Sequence, residues 1–146
     1  MSWKLSLAFL VLIIIVGYLL HMHFYRSFDV NKFEHLVFNK VNEIRVKHGL
    51  KPLIWNNMLY AKAKKHAGWM AETGRLEHSS LGPGMGENIY YTPYYGSEET
   101  VAEETVEAWM ESPGHRRNML DPLFLSGAVA ATKTDEGIYV VLLLGG

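Results

Sequence analysis

The chain has 146 residues and not one cysteine. That absence removes disulfides, thiol catalysis and thiolate zinc frameworks in one step. It suits a cytosolic protein, and equally an exported bacterial one that folds without bridges. An excess of either charge is also missing: 14 Lys and Arg stand against 15 Asp and Glu. No basic field therefore points to nucleic acid. Proline is scarce, at five residues, and no repeat, low-complexity tract or internal linker divides the chain. A sequence of this length has room for one globular domain and little more.

Charge is absent altogether from residues 5–25, "LSLAFLVLIIIVGYLLHMHFY". A helix needs about 20 apolar residues to cross a hydrocarbon core of about 30 Å. Lys4 precedes the run, and Trp3, Tyr18 and Tyr25 suit membrane interfaces. A cleaved secretory signal would end in small residues of A-x-A type, whereas this run continues into "GYLLHMHFYR". The expectation is an uncleaved signal-anchor over residues 1–26 and a globular domain over residues 27–146. That describes a single-pass protein of the cytoplasmic membrane, contacting it through residues 3–25, with the domain extracytoplasmic. The alternative is secretion after signal cleavage.

Periodicity organises the rest. Phe33, Val37, Val41, Ile44 and His48 recur at helical spacing, predicting a helix over residues 31–48 capped by Asp29 or Asn31 and ended by Gly49 and Pro52. A second helix is predicted over residues 57–73, with Leu59, Ala63, His66, Ala67 and Met70 as its inner stripe and Gly74 closing it. A loop and short strand follow. A third helix starts near Ser97, where Thr100 and Glu103 have capping-box spacing. "SGAVAATK" and "GIYVVLLL" read as two strands joined through "TDEG". Helices early and a hairpin late predict an α+β layered domain.

The segment "WMESPGHRRNMLDP" combines a Ser-Pro step, a glycine and a histidine. Ser112 reads as a helix cap and Pro113 as the first helical residue, with Asp121-Pro122 as the stop. His115 then falls in the first turn, where the positive end of the helix dipole disfavours imidazolium. A neutral imidazole suits a metal ligand or a general base; a surface histidine in a capped turn is the plainer alternative. "EHSSLGPGMGEN" puts His78 and Glu87 in a Gly- and Ser-rich loop. It matches neither a phosphate loop nor a dinucleotide fingerprint. Two histidines and a carboxylate can hold Zn²⁺ with one position open, although the HExxH spacing is lacking. Tyr90, Tyr91, Tyr94 and Tyr95 follow as an aromatic cluster suited to strand packing or to a cleft ligand. His21 and His23 read as interfacial, and His66 as a core or edge histidine. Arg116 and Arg117 read as surface cations, and Asn88 and Asn118 as loop ties.

Four motifs in order, "HSS", "GENI", "AWMESPGHRRNML" and "SGAVA…YVVLLLG", resemble a bacterial SCP-like member of the CAP superfamily (cysteine-rich secretory proteins, antigen 5 and pathogenesis-related 1 proteins). The resemblance implies a three-layer α-β-α sandwich preceded here by the transmembrane helix. It also implies a central cleft of two histidines and two glutamates that in several members binds a divalent metal. Residue by residue, the histidines map to His78 and His115 and the first glutamate to Glu87. In many eukaryotic members the second glutamate stands three residues after the helix tryptophan, a position held here by Ser112. Glu111 lies one place earlier, about 100° away around a helix. His78 and His115 are thus the expected metal ligands, with Zn²⁺ as the candidate cation. Glu87 is the candidate catalytic base, and Glu111 and Ser112 complete the cleft.

The function so implied is a ligand-binding or interaction and signalling module at the cell surface, with a lipid, glycan or protein ligand in the cleft. The alternative is a metal-assisted hydrolase of peptide or cell-wall substrates, with Glu87 as base. Against the alternative, the sequence shows no nucleophile, base and orienting group arranged together.

Overall fold

Helix formation follows the apolar spacing, and each helix end has a local cause. The computed structural model describes residues 3–93 and 96–146, leaving the side chains of residues 3–5 and 24–26 outside the description. The interfacial roles expected of Trp3 and Tyr25, and the positions of Tyr94 and Tyr95, therefore lie outside the described residues. Helix α1 (Trp3–Ser27) carries its apolar side chains exposed from Leu7 to Leu20. Its stretch Ser6–His23, of mean hydropathy 2.1, is long and apolar enough to cross a membrane. Helix α2 (Val30–Lys47) starts at Asp29, whose carboxylate accepts from the Lys32 N–H. Helix α3 (Asn57–Thr73) starts at Asn56, which accepts from the N–H groups of Met58 and Leu59. It ends at Gly74 with φ 68°, a left-handed conformation that glycine adopts without a Cβ clash.

Three details differ from the sequence expectation. Helix α4 (Glu98–Glu111) is capped by Ser97, which accepts from the Thr100 N–H, so the helix begins before the Thr100–Glu103 pair and needs no capping box there. Helix α5 (Pro113–Met119) has Ser112 at its N-cap position, yet the Ser112 side chain makes no capping hydrogen bond. Finally, a two-residue strand, β1 (Ile54–Trp55), carries no legible period.

Strands β2 (Met85–Thr92), β3 (Ser126–Lys133) and β4 (Ile138–Gly145) complete a four-stranded sheet of order β1-β3-β4-β2. β4 is central and pairs antiparallel with β2 and β3, whereas β1 pairs parallel to β3. Burial on both faces explains its unbroken apolar run. Alternation sorts the side chains. Val129, Val140, Leu142 and Leu144 pack against α2, α4 and α5, and Ala128, Ala130, Val141 and Leu143 pack against the Leu59–Ala63–Ala67–Met70 stripe of α3. Alanines on both sides of that second contact let α3 approach the sheet closely. The result is an α-β-α sandwich preceded by an apolar helix.

Two buried charges join the layers. Glu34 accepts from the Tyr60 hydroxyl (2.9 Å), Lys64 Nζ (3.0 Å) and the Ala131 N–H (2.8 Å). Arg45, 1% exposed, donates to the carbonyls of Lys51, Met119, Asp121 and Phe124 at 2.8–3.1 Å. It thereby ties the end of α2 to the chain between α5 and β3. Burial lowers the Arg45 pKa below its usual value, against the attraction of Asp121. Arg45→Ala leaves these acceptors without their donor and should cost roughly 3–5 kcal/mol. Urea unfolding monitored by circular dichroism checks this, and a loss below about 1 kcal/mol would show that water replaces the guanidinium.

Candidate functional site

β2 carries the candidate carboxylate because of its alternation. Glu87 and Ile89 face α3, whereas Asn88 and Tyr90 face α4 and α5. Glu87 stands opposite Leu143 of β4, and its side chain is 1% exposed. Gly86 precedes it, and a Cβ there would lie 2.8 Å from the Phe124 ring. The glycine lets that ring close against the strand immediately before the carboxylate.

The chain from α3 returns over Glu87 and hydrogen-bonds both of its oxygens. Oε1 accepts from the Ser79 N–H at 2.8 Å and lies 2.8 Å from His78 Nδ1. Oε2 accepts from the Ser79 hydroxyl at 2.5 Å. A carboxylate acceptor assigns the proton to His78 Nδ1 and leaves Nε2 as the open ring nitrogen. The His78 side chain remains 59% exposed.

His115 arrives from the opposite layer, around the free edge of β2. Asn118 Nδ2 donates to the Glu87 carbonyl (3.1 Å) and to Asn88 Oδ1 (3.0 Å), and Asn88 Nδ2 donates to the His115 carbonyl (3.0 Å). These ties bring the His115 ring to 6.1 Å from that of His78, between centroids. His115 is half-buried, and its pKa falls below the usual 6.5 through desolvation first and the neighbouring His78 second. A neutral imidazole is the form that can offer a lone pair to a cation.

Of the five cleft residues expected from sequence, His78, Glu87 and His115 meet at one point. Glu111 is solvent-exposed at the end of α4, and Ser112 sits half-buried at the helix junction. Neither has a hydrogen bond to the other three. Among the described residues no group of three His, Asp or Glu side chains forms a metal site, so the available donor set is two imidazoles. Sequence reasoning missed Ser79 as the main partner of Glu87, whereas its reading of Asn88 and Asn118 as loop ties holds, since they bond the backbone carbonyls of His115 and Glu87. The alternation of "GENI" was the signal, since it puts the glutamate and the asparagine on opposite faces. The two described tyrosines of that cluster are occupied structurally: Tyr90 donates to Glu104, and Tyr91 donates to the Glu136 carbonyl. Burial first, and then Glu104, pushes the Tyr90 pKa up to about 12.

Beside Glu87 a groove of about 600 Å³ opens between α3 and the loop at residues 77–82. Leu143 and Met85 line it, and His78 and Ser79 stand at its side.

The sequence model described as the cysteine-rich secretory protein family (CAP) matches residues 38–144. The uncharacterized protein YkwD of Bacillus subtilis (strain 168) is 33% identical over 105 residues, which cover 66% of this chain and 41% of that protein. The chain thus spans less than half the length of this curated relative. An extracellular protein containing a SCP domain from Bacillus anthracis str. Ames superposes with a TM-score of 0.63 at 24% identity, over 79% of this chain and 40% of that one. An outer surface protein from Borrelia burgdorferi gives 0.65 at 19% identity, over 80% of this chain and 94% of that one. At these identities the structural likenesses establish the fold.

Two outcomes follow from the geometry. His115 should titrate below the usual imidazole range in a histidine NMR titration. His78→Ala should raise that value only in part, because burial, the larger cause, remains. A histidine with a depressed folded pKa contributes stability above the unfolded value of 6.5, which is lost as pH falls through the folded value. Asn88→Ala should cost about 1–3 kcal/mol and shift the His115 resonances, while leaving those of exposed His48 in place. Unmoved His115 signals would show that Asn88 does not position it.

Proposed function

The chain belongs to the cysteine-rich secretory protein (CAP) family, and from that premise we propose that it is an extracytoplasmic ligand-binding module held at the cytoplasmic membrane by α1. One observation carries the reading: Glu87 is buried, and hydrogen bonds occupy both of its oxygens. A general base must reach the proton it removes, and this carboxylate instead orients His78. The adjoining groove supplies the concave, largely apolar space of a small-ligand site. The apolar length of α1 supports anchoring, and the extracellular nature of the Bacillus anthracis protein supports the location.

The donor set fits a divalent cation as a partial site. His78 Nε2 and a neutral His115 would hold it, with Glu87 orienting His78 as carboxylates orient metal-bound histidines. Zinc in protein sites usually takes three or four protein ligands, so two imidazoles make an ion that solvent or a ligand must complete. The metal-assisted hydrolase is the competing reading, and the same histidine pair would serve it.

Three measurements test the proposal. Protease treatment of intact cells should remove the domain, and a mature chain starting beyond residue 20 would refute anchoring. Zn²⁺ titration of the full chain in detergent should show binding that weakens at least tenfold in His78→Ala and in His115→Ala. Saturating Zn²⁺ with peptide, ester and peptidoglycan substrates should give no turnover. Turnover lost in both Glu87→Gln and His115→Ala would establish the hydrolase instead.

A further inference from the structure

The passage from α1 into the domain contains almost no free chain. α1 ends at Ser27 and α2 begins at Val30, and both residues between them are held. Phe28 is buried, with its ring 5.4 Å from that of Phe33. Asp29 caps α2 through its carboxylate and donates its N–H to Glu98 Oε1 at 2.6 Å, at the start of α4. Side-chain bonds then set the direction of the domain from this junction. Glu34, early in α2, meets Ala131 near the end of β3, whereas Arg45, late in α2, meets the carbonyls of Met119 and Phe124 just before β3 begins. α2 therefore runs back along β3, and the turn at residues 134–137 shares the junction end with the starts of α2 and α4. Glu87 lies toward the other end, opposite Leu143 and so level with Ala128. From Ala128 to Ala131 is about 10 Å of strand, and from Glu34 back to Val30 about 6 Å of helix. The carboxylate thus stands roughly 15 Å beyond the junction.

We infer that the domain stands upright on α1, with the His78–His115 site at the end remote from the bilayer, and that this site takes a water-soluble ligand from the aqueous side and not a lipid from the membrane beneath. The inference rests on the anchored reading and adds the direction from which the ligand comes. Three observations carry it. The span Ser6–His23 has none of its length buried, so α1 projects clear of the domain. The two-residue junction is fixed by a buried ring and by two hydrogen bonds, where a flexible linker would let the domain turn freely. The outer face of α2, which would meet the bilayer if the domain lay along that helix, carries Asn39, Asn42, Glu43 and Lys47, with Val46 its single apolar member. Such a face lacks the apolar stripe by which a helix lies in a membrane surface.

The absence of native cysteine makes the test direct, because one introduced thiol is then the only labelling point. Single fluorophores are placed at Glu136→Cys, on the turn at the junction end, and at Lys47→Cys, Ser80→Cys and Arg117→Cys. All four positions are exposed, and circular dichroism checks the fold of each variant. Ser80 and Arg117 flank the site from its two layers, and Lys47 marks the far end of α2, about 25 Å from its start. The full chain is reconstituted in phosphatidylcholine nanodiscs containing lipid with a nitroxide on its head group. Quenching at Glu136→Cys should exceed that at each of the other three at least threefold. About eight Gly and Ser residues inserted between Ser27 and Phe28 free the domain and should reduce this contrast at least twofold. A far label quenched as strongly as Glu136→Cys would overturn the upright mount and identify the side on which the domain lies: α2 for Lys47, the loop at residues 77–82 for Ser80, α5 for Arg117. A contrast that survives the insertion would also overturn it, by showing that the junction does not set the orientation. Both results leave the anchored reading standing. That reading fails separately, if the mass of the chain recovered from cell membranes shows a start beyond residue 20.

Discussion

The free edge of β2 must be satisfied by side chains, and the candidate site exists because of how that is done. β2 ends the sheet, so the carbonyls on its outer side have no strand to bond. The Trp109 indole N–H donates to the Ile89 carbonyl at 3.0 Å, and Asn118 Nδ2 to that of Glu87 at 3.1 Å. Those two donors come from α4 and α5, so closing the edge draws the α4–α5 corner over it. His115 travels with that corner and comes to rest beside His78, although the two belong to opposite layers. The histidine pair is a by-product of edge closure, since the asparagine bonds that close the edge also place His115.

The opposite edge is closed by charge. β1 covers only the first two residues of β3, and beyond it the edge is strandless. There the Ala131 N–H donates to Glu34 and its carbonyl accepts from Lys64 at 2.6 Å. An ion pair between α2 and α3 thus takes the place of a neighbouring strand, with Tyr60 donating to the second Glu34 oxygen. Arg45 acts comparably where the chain leaves α5 for β3. Buried charges of this kind add little net stability compared with apolar packing. They tie α2 to α3 across the β3 edge and to the chain between α5 and β3.

Much of this was legible in the sequence, for identifiable reasons. The interval of α3 and the start and end of β3 followed from apolar period and glycine punctuation, which depend on neighbours in the chain. For the cap of α2 the sequence left Asp29 and Asn31 open, and Asp29 is the one that accepts from the Lys32 N–H. The two-residue β1 was not legible, because two residues carry no period and their pairing with β3 is long-range. The sequence carries no signal for the burial of Arg45 and Glu34, because the carbonyls, hydroxyl and N–H groups they meet are distant in the chain. At the site, motif resemblance found His78, Glu87 and His115. It could not separate them from Glu111 and Ser112, since the direction of a side chain at a helix junction depends on how the next helix sets off. Ser112 illustrates the limit: it occupies the N-cap position, but its hydroxyl makes none of the capping bonds that the local pattern predicts.

His78 is the one side chain shared by both parts of the site, and its constraints differ on its two ring nitrogens. Nδ1 is fixed by Glu87, which Ser79 holds through both its N–H and its hydroxyl. Rotation of the ring would therefore break a buried carboxylate network, a penalty that grows in low dielectric. The other edge of the ring is exposed, with the groove on one side and His115 beyond. The groove and the gap between the histidines therefore border the same imidazole, held at Nδ1 by a buried carboxylate.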